Sequence, residues 1–170
     1  MSIEFNVHIR WMIRRDMESV MAIETTCFEF PWREDDFIRC LRQRNCIGMV
    51  AEYDEEIVGF MIYELHKNQI HILNFATDPG VQSEGVGAQM VKKLVGKLSR
   101  QRRNRIVLEV RESNLPAQAF FKSQGFIAES ILRDYYDETD EDAYVFTFRL
   151  DRNKESSLLK PVNRIARLAE

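Results

Sequence analysis

Three apolar runs lie near the middle of the chain: Ile47 to Tyr53, Ile57 to Leu65 and Ile70 to Thr77. Only the polar turns Asp54-Glu55-Glu56 and Lys67-Asn68-Gln69 divide them. Connections that short favour an antiparallel meander, because a parallel return needs a crossover of about a dozen residues. The next segment has that length. Pro79-Gly80-Val81-Gln82-Ser83-Glu84-Gly85-Val86-Gly87 leads into a stretch, to about Gln101, whose apolar residues Met90, Val91, Leu94, Val95 and Leu98 recur with helical spacing. Ile106 to Val110 then reads as another strand. Strand, glycine loop, helix and strand make a βαβ-like unit grafted onto the meander, which argues for a mixed sheet in an α/β (α+β) fold.

The flanking segments complete the order. His8 to Arg14 carries apolar residues at 9, 11 and 13, a strand alternation. Asp16 is expected to cap a helix bearing Met17, Val20, Met21 and Ile23 or Glu24. Phe28-Glu29-Phe30-Pro31-Trp32 ends that helix, and a second is expected from Glu34 to Arg44. Leu115 to Ser123 reads as a short helix closed by Gly125. Phe126 to Leu132 and Tyr144 to Leu150 read as the last two strands. The expected order is β-α-α-β-β-β-α-β-α-β-β, in one domain over residues 1–150. Residues 151–170, polar at first and weakly amphipathic after Pro161, read as a C-terminal extension.

With 170 residues, 45% of them hydrophobic, the chain can bury a sizeable core. A net charge of −3 supplies no global pull toward nucleic acid or an anionic membrane. No apolar run approaches the roughly 18 residues of a membrane span, and Met1 to Arg15 has no apolar run bounded by a cleavage site, so no signal peptide is expected. Cys27, Cys40 and Cys46 are odd in number, which fits reduced thiols in the cytoplasm better than a disulfide framework. His8, His66 and His71 show no ligand spacing, and no metal is expected.

The glycine loop is the first candidate site. Glycines let backbone N–H groups approach a ligand closely, and the helix start behind them offers unpaired donors and a positive dipole end. That suits a pyrophosphate, and it suits equally a tight strand-to-helix turn. The loop and its surroundings resemble the GCN5-related N-acetyltransferase (GNAT) superfamily, whose pattern Q/R-x-x-G-x-G/A appears here as Gln82-Ser83-Glu84-Gly85-Val86-Gly87, preceded by Leu73 to Pro79. The resemblance sharpens toward the ribosomal-protein-alanine N-acetyltransferase branch through Phe30-Pro31-Trp32, Leu108 to Asn114, and Gly125-Phe126 followed by Arg133 to Tyr136 and Glu141 to Ala143. It spans roughly residues 8–150. It implies a GNAT-like single domain with acetyl-CoA as co-substrate. The backbone of Phe75, Ala76 and Thr77 would pair with the pantetheine, residues Ser83 to Ala88 would wrap the pyrophosphate, and Asn114 would lie near the reactive end. Ser83 and Glu84 depart from the pattern, and an acid beside phosphates weakens binding unless it faces away. Lys92, Lys93 and the run from Arg100 to Arg105 are candidates to compensate, or a solvated helix face.

Acetyl transfer from a thioester requires a neutral amine. An α-amine titrates at about 7.7–8.0 and a lysine at about 10.4, so near pH 7.4 roughly a quarter of the first and about 0.1% of the second is neutral. A peptide N-terminus therefore asks less of a base. Glu109, in the otherwise apolar strand Ile106 to Arg111, is the candidate base. Alternation alone also allows an exposed position shared with Val107 and Arg111; the resemblance puts the base at Glu109. The tyrosine that the family uses as general acid falls at Phe121, which has no proton to give. Either water protonates the departing thiolate, or Tyr135 or Tyr136 substitutes, or catalysis is weak. Asp134 to Asp142 holds six acids among nine residues, a loop to attract a basic substrate or simply to meet solvent. Trp32 and Phe30 are candidates for an acceptor pocket or for the core. The leading function is acetylation of a peptide or protein N-terminus, such as that of a ribosomal protein. Acetylation of a small amine or lysine, and a non-catalytic acyl-CoA-binding module, are the alternatives. Oligomeric state, a homodimer included, stays open.

Overall fold

The short turns produce the expected meander. In the computed structural model, which describes residues 5–150, β1 (His8–Trp11), β2 (Cys46–Tyr53), β3 (Glu56–Leu65) and β4 (Gln69–Thr77) pair antiparallel in succession. β4 then pairs in parallel with β5 (Arg105–Arg111), the crossover being α3 (Val86–Val95). After α4 (Leu115–Ser123), β6 (Ile127–Tyr136) and β7 (Glu141–Arg149) form a hairpin whose second strand inserts beside β5. The sheet order is β1-β2-β3-β4-β5-β7-β6, mixed and mostly antiparallel. The described residues form a single domain, seven strands flanked by four α-helices.

Each face of the sheet buries one core. On one side α3 and α4 cover Ile70, Ile72, Ile106, Leu108 and Phe146 with Met90, Leu94 and Phe121. On the other, α1 (Met17–Cys27) and α2 (Glu34–Leu41) cover Val50, Phe60, Ile62 and Ala76 with Val20, Ile23 and Phe37. β4 contributes to both, and the reason is a bulge. Ile62 opposes Asn74 while Tyr63 opposes Ile72, leaving Leu73 unpaired in the register. The extra residue reverses the alternation, so Ile70 and Ile72 face α3 whereas Ala76 faces α1.

Several boundaries differ from the sequence reading. Asp16 does not cap α1 with its side chain. Its carboxylate is taken by the Arg10 guanidinium at 2.8 and 3.0 Å and by the Ile13 N–H at 2.8 Å, which closes a short 3₁₀ turn instead. α2 stops at Leu41, and α3 stops at Val95 because Gly96 tightens the next turn into i→i+3 bonds from Lys97 and Leu98. The acidic segment expected as a loop is largely strand: β6 runs on to Tyr136 and β7 starts at Glu141. The 151–170 extension lies outside the described residues.

Candidate active site

β4 and β5 exchange ladder bonds only at Gln69, Ile70 and His71, opposite Arg105, Ile106 and Val107. Beyond that point the strands part. β4 keeps β3 on one side, with Met61, Phe60 and Gly59 opposite Phe75, Ala76 and Thr77, and has no strand on the other. β5 stays paired with β7, Glu109 opposite Val145. The splay opens a cleft in two connected halves, and Phe28, Phe75, Asn114, Ala117 and Phe121 line both.

The half of about 690 Å³ lies along the free edge of β4 and the glycine loop. Phe75, Ala76, Thr77, Gln82, Ser83, Gly85, Val86, Gly87 and Ala88 line it. Gly85 adopts φ 83°, the left-handed conformation that glycine accepts without strain, and so turns the chain into α3. The N–H groups of Val86, Gly87 and Ala88 precede the first internal bond of the helix, from the Gln89 N–H to the Gly85 carbonyl at 3.1 Å. Gly87 is needed for packing, since a Cβ there would stand 2.9 Å from the Phe120 ring. These donors at a helix start fit a pyrophosphate. Glu84 does not line the cleft, which answers the concern about an acid among phosphates. Lys92 and Lys93 line a separate groove with Val7 and Ile9, while Arg103 donates to the His66 carbonyl and Arg105 to the Gln69 side chain.

The other half, about 360 Å³, is lined by Phe30, Trp32, Asn74, Glu109, Arg111 and Tyr136 among others. Glu109 lies two residues past the last β4–β5 pair. Its carboxylate oxygens stand 3.0 and 2.7 Å from Nε2 of His71, a partner the sequence reading missed. The His71 titration is raised above 6.5, mainly by its hydrogen bond to Glu109 against the opposing effect of burial. Glu64 and exposed His66 complete this cluster, with Glu64 Oε1 3.5 Å from His71 Nδ1 and 3.2 Å from His66 Nε2. Pairing by charge explains the gathering of Glu64, His66 and His71, whose polar atoms lie within 4.8 Å of one another.

Phe121 is 4% exposed and packs edge-on against Phe75, Phe120 and Phe126, with centroids 5.0–5.5 Å apart. Asn114 caps α4, its Oδ1 accepting from the Ala117 N–H. Of the two candidate substitute acids, Tyr136 lines this second half of the cleft and Tyr135 does not. Burial pushes the Tyr136 hydroxyl up to about 12, so it carries its proton at neutral pH. The Arg111 guanidinium lies 3.9 Å from the Tyr136 ring centroid and 5.2 Å from that of Phe30, tying the α1–α2 segment to the β6–β7 hairpin. Arg111 also pairs with Glu138 and Glu141, and Arg133 with Asp142, which neutralises half of the acids from Asp134 to Asp142. Trp32 serves core and cleft together, packing edge-on to Phe37 at 5.1 Å.

A second missed feature is buried beneath this half. Glu24, on α1, is 2% exposed and accepts from Asn74 Nδ2 at 2.7 and 3.0 Å and from the Trp32 N–H. Burial raises its carboxyl above the usual range. An acid at an apolar helical position was the signal available in the sequence.

A strand edge freed by a splay, a glycine-initiated helix beside it and a carboxylate across the gap thus border one continuous cleft. The acetyltransferase (GNAT) family model matches residues 17–126. Over 132 residues the chain is 30% identical to the ribosomal protein bS18-alanine N-acetyltransferase of Escherichia coli strain K12, covering 76% of this chain and 88% of that protein. The crystal structure of the Escherichia coli ribosomal-protein-S18-alanine N-acetyltransferase matches with a TM-score of 0.76 at 26% identity, covering 85% of this chain and 94% of that one. Arabidopsis thaliana NAA60 in complex with acetyl-CoA, 16% identical, shares the fold with a TM-score of 0.74 over 85% and 99% of the two chains. The chain belongs to the GNAT family. It is an acetyl-CoA-dependent N-acetyltransferase.

Proposed function

We propose that this chain acetylates the N-terminal α-amino group of a protein, a ribosomal protein being the acceptor class that its similar proteins suggest. The observation that carries the reading is the position of Glu109. Its carboxylate lines the acceptor half of a cleft whose other half is bounded by the Gln82–Ala88 loop. Acetyl-CoA lies along Phe75, Ala76 and Thr77 with its pyrophosphate at the N–H groups of Val86, Gly87 and Ala88. The acceptor enters between Phe30 and Tyr136. Glu109 takes the amine proton, and nitrogen attacks the thioester carbonyl. Tyr136 returns a proton to the thiolate in place of the family's tyrosine. Cys27, Cys40 and Cys46 are free thiols, which fits work in the cytoplasm. No helix among the described residues is long and apolar enough to cross a membrane.

The test is acetyl-CoA consumption with a panel of free N-terminal peptides, an N-blocked lysine peptide and small amines. Free N-termini should be preferred, and Glu109→Gln should lower turnover by roughly 10²–10⁴ near neutral pH, with the loss shrinking as pH rises and the amine deprotonates unaided. Wild-type turnover by Glu109→Gln at neutral pH would remove Glu109 as the base. Preference for the blocked lysine peptide would favour the lysine reading.

A further inference from the structure

The reading of Glu109 as the base leaves His71 unexplained. The ring stands on β4 at the last paired position, opposite Val107, just before the strands part. It is about three-quarters buried, as is the Glu109 side chain. Nε2 meets both oxygens of Glu109, at 2.7 and 3.0 Å, and Nδ1 faces Glu64 Oε1 at 3.5 Å. An ionised carboxylate only accepts hydrogen bonds, so a ring flanked by one at each nitrogen is best satisfied with both nitrogens protonated. The charged or titratable groups around it are Glu109 on β5, Glu64 on β3 and the His66 ring, 6.4 Å away between centroids. The thiols of Cys40 on α2 and Cys46 on β2 sense Glu64, and Tyr135 and Tyr136 on β6 sense Glu109.

We propose that His71 is a positioning residue for acetyl transfer: held between Glu64 and Glu109, it fixes the Glu109 carboxylate at the mouth of the splay, and it does so best when its ring is charged. The arrangement has a directional consequence. Only the charged ring donates at both nitrogens, so its hold on the two carboxylates loosens as pH rises and the ring loses a proton.

His71→Gln keeps a hydrogen-bond donor near Glu109 and removes the charge. The quantity to measure is the ratio of kcat/KM for His71→Gln to that of the wild type, with one free N-terminal peptide, against pH. Ionisation of the peptide amine is common to both enzymes and cancels. The ratio should be near one in alkali, where the wild-type ring has lost its charge, and should fall by about tenfold as pH drops through the His71 titration, the size of one charge-assisted hydrogen bond. A ratio that does not change with pH overturns the proposal. In a Glu109→Gln background, His71→Gln should have no further effect; an equal loss in both backgrounds would show a merely structural role and overturn it as well. Loss in Glu109→Gln alone, with a flat ratio for His71→Gln, sinks this proposal and spares the base. Wild-type rate in Glu109→Gln sinks the base. If His71→Gln does not fold, nitrogen NMR of the wild-type ring decides: its midpoint should lie above 6.5 and drop in Glu109→Gln, and an unmoved midpoint overturns the proposal.

Discussion

Glu24→Ala probes the floor of the acceptor half. In the wild type the carboxylate accepts from the Asn74 amide and from the Trp32 N–H, and it is 2% exposed with Asn74 8% exposed. Truncation leaves two buried donors without a partner. Each costs about 1–3 kcal/mol, so the variant should lose about 2–6 kcal/mol. In a domain of this size each kcal/mol moves the melting temperature by about 2–4 °C, giving a drop of roughly 4–24 °C. The dependence on pH sharpens the test. Burial raises the Glu24 carboxyl above its ordinary 4.5, so the folded state holds this proton longer than the unfolded chain does. Wild-type stability from this group is therefore greatest in acid, declines as pH rises through the interval between 4.5 and the raised value, and levels off above it. The alanine variant lacks that slope, so its deficit should be largest in acid and narrow as pH rises. Glu24→Gln, neutral and of the same shape, should recover most of the loss and show no slope. Urea or thermal denaturation across the acid to neutral range measures both. An alanine variant melting within about 2 °C of the wild type, or a deficit that widens with pH, would refute the reasoning.

Gly85→Val should remove the rise in melting temperature that acetyl-CoA gives the wild type, because a branched side chain at φ 83° both strains the loop and blocks the approach to phosphate. A folded variant that keeps the rise would show that the loop is only a turn. Tyr136→Phe should lower turnover with little change in acetyl-CoA binding, and an unchanged rate would leave protonation of the thiolate to water. Phe121→Tyr should restore turnover in the Tyr136→Phe background, since Phe121 lines both halves of the cleft; a loss of about 1–3 kcal/mol of stability with no gain in rate would show the position to be an apolar wall.

The meander was legible because two signals coincide within one stretch: strand alternation and polar turns too short for anything but an antiparallel return. The parallel crossover was legible because a helix-period segment follows a glycine loop. Features that depend on distant partners were not. His71 and Glu109 are 38 positions apart and meet only because β4 and β5 run side by side at their starts, and the histidines were weighed for metal spacing along the chain, which is blind to such a contact. Asp16 had the residue type and place of a cap, but Arg10, across the turn from β1, is a stronger partner for its carboxylate. The acidic run looked like a loop because its acids were counted without Arg111 and Arg133, which neutralise three of them and let the flanking residues join the ladder. Phe121 was placed in the cleft by family resemblance, and the aromatic cluster around it was invisible until α4 was docked.

The bulge at Leu73 links these observations. Without it, β4 would keep one alternation from Ile70 to Thr77, and Asn74 and Ala76 would fall on the same face as Ile70 and Ile72. Asn74 could then not reach Glu24 on α1, and Phe75 would not meet Phe120 and Phe121 on the α4 side. A bulge also increases the local twist of its strand. Here it lies two residues past the last β4–β5 pair, so the added twist falls where the strands separate and β4 gains its free edge. Upstream of the bulge His71 projects toward Glu109; downstream the backbone of Phe75, Ala76 and Thr77 faces the cofactor half. One unpaired residue thus separates the part of β4 that contacts the Glu109 carboxylate from the part that lines the glycine-loop half of the cleft. That division explains how a single strand serves both halves of the cleft while its pairing with β3 continues on the other side.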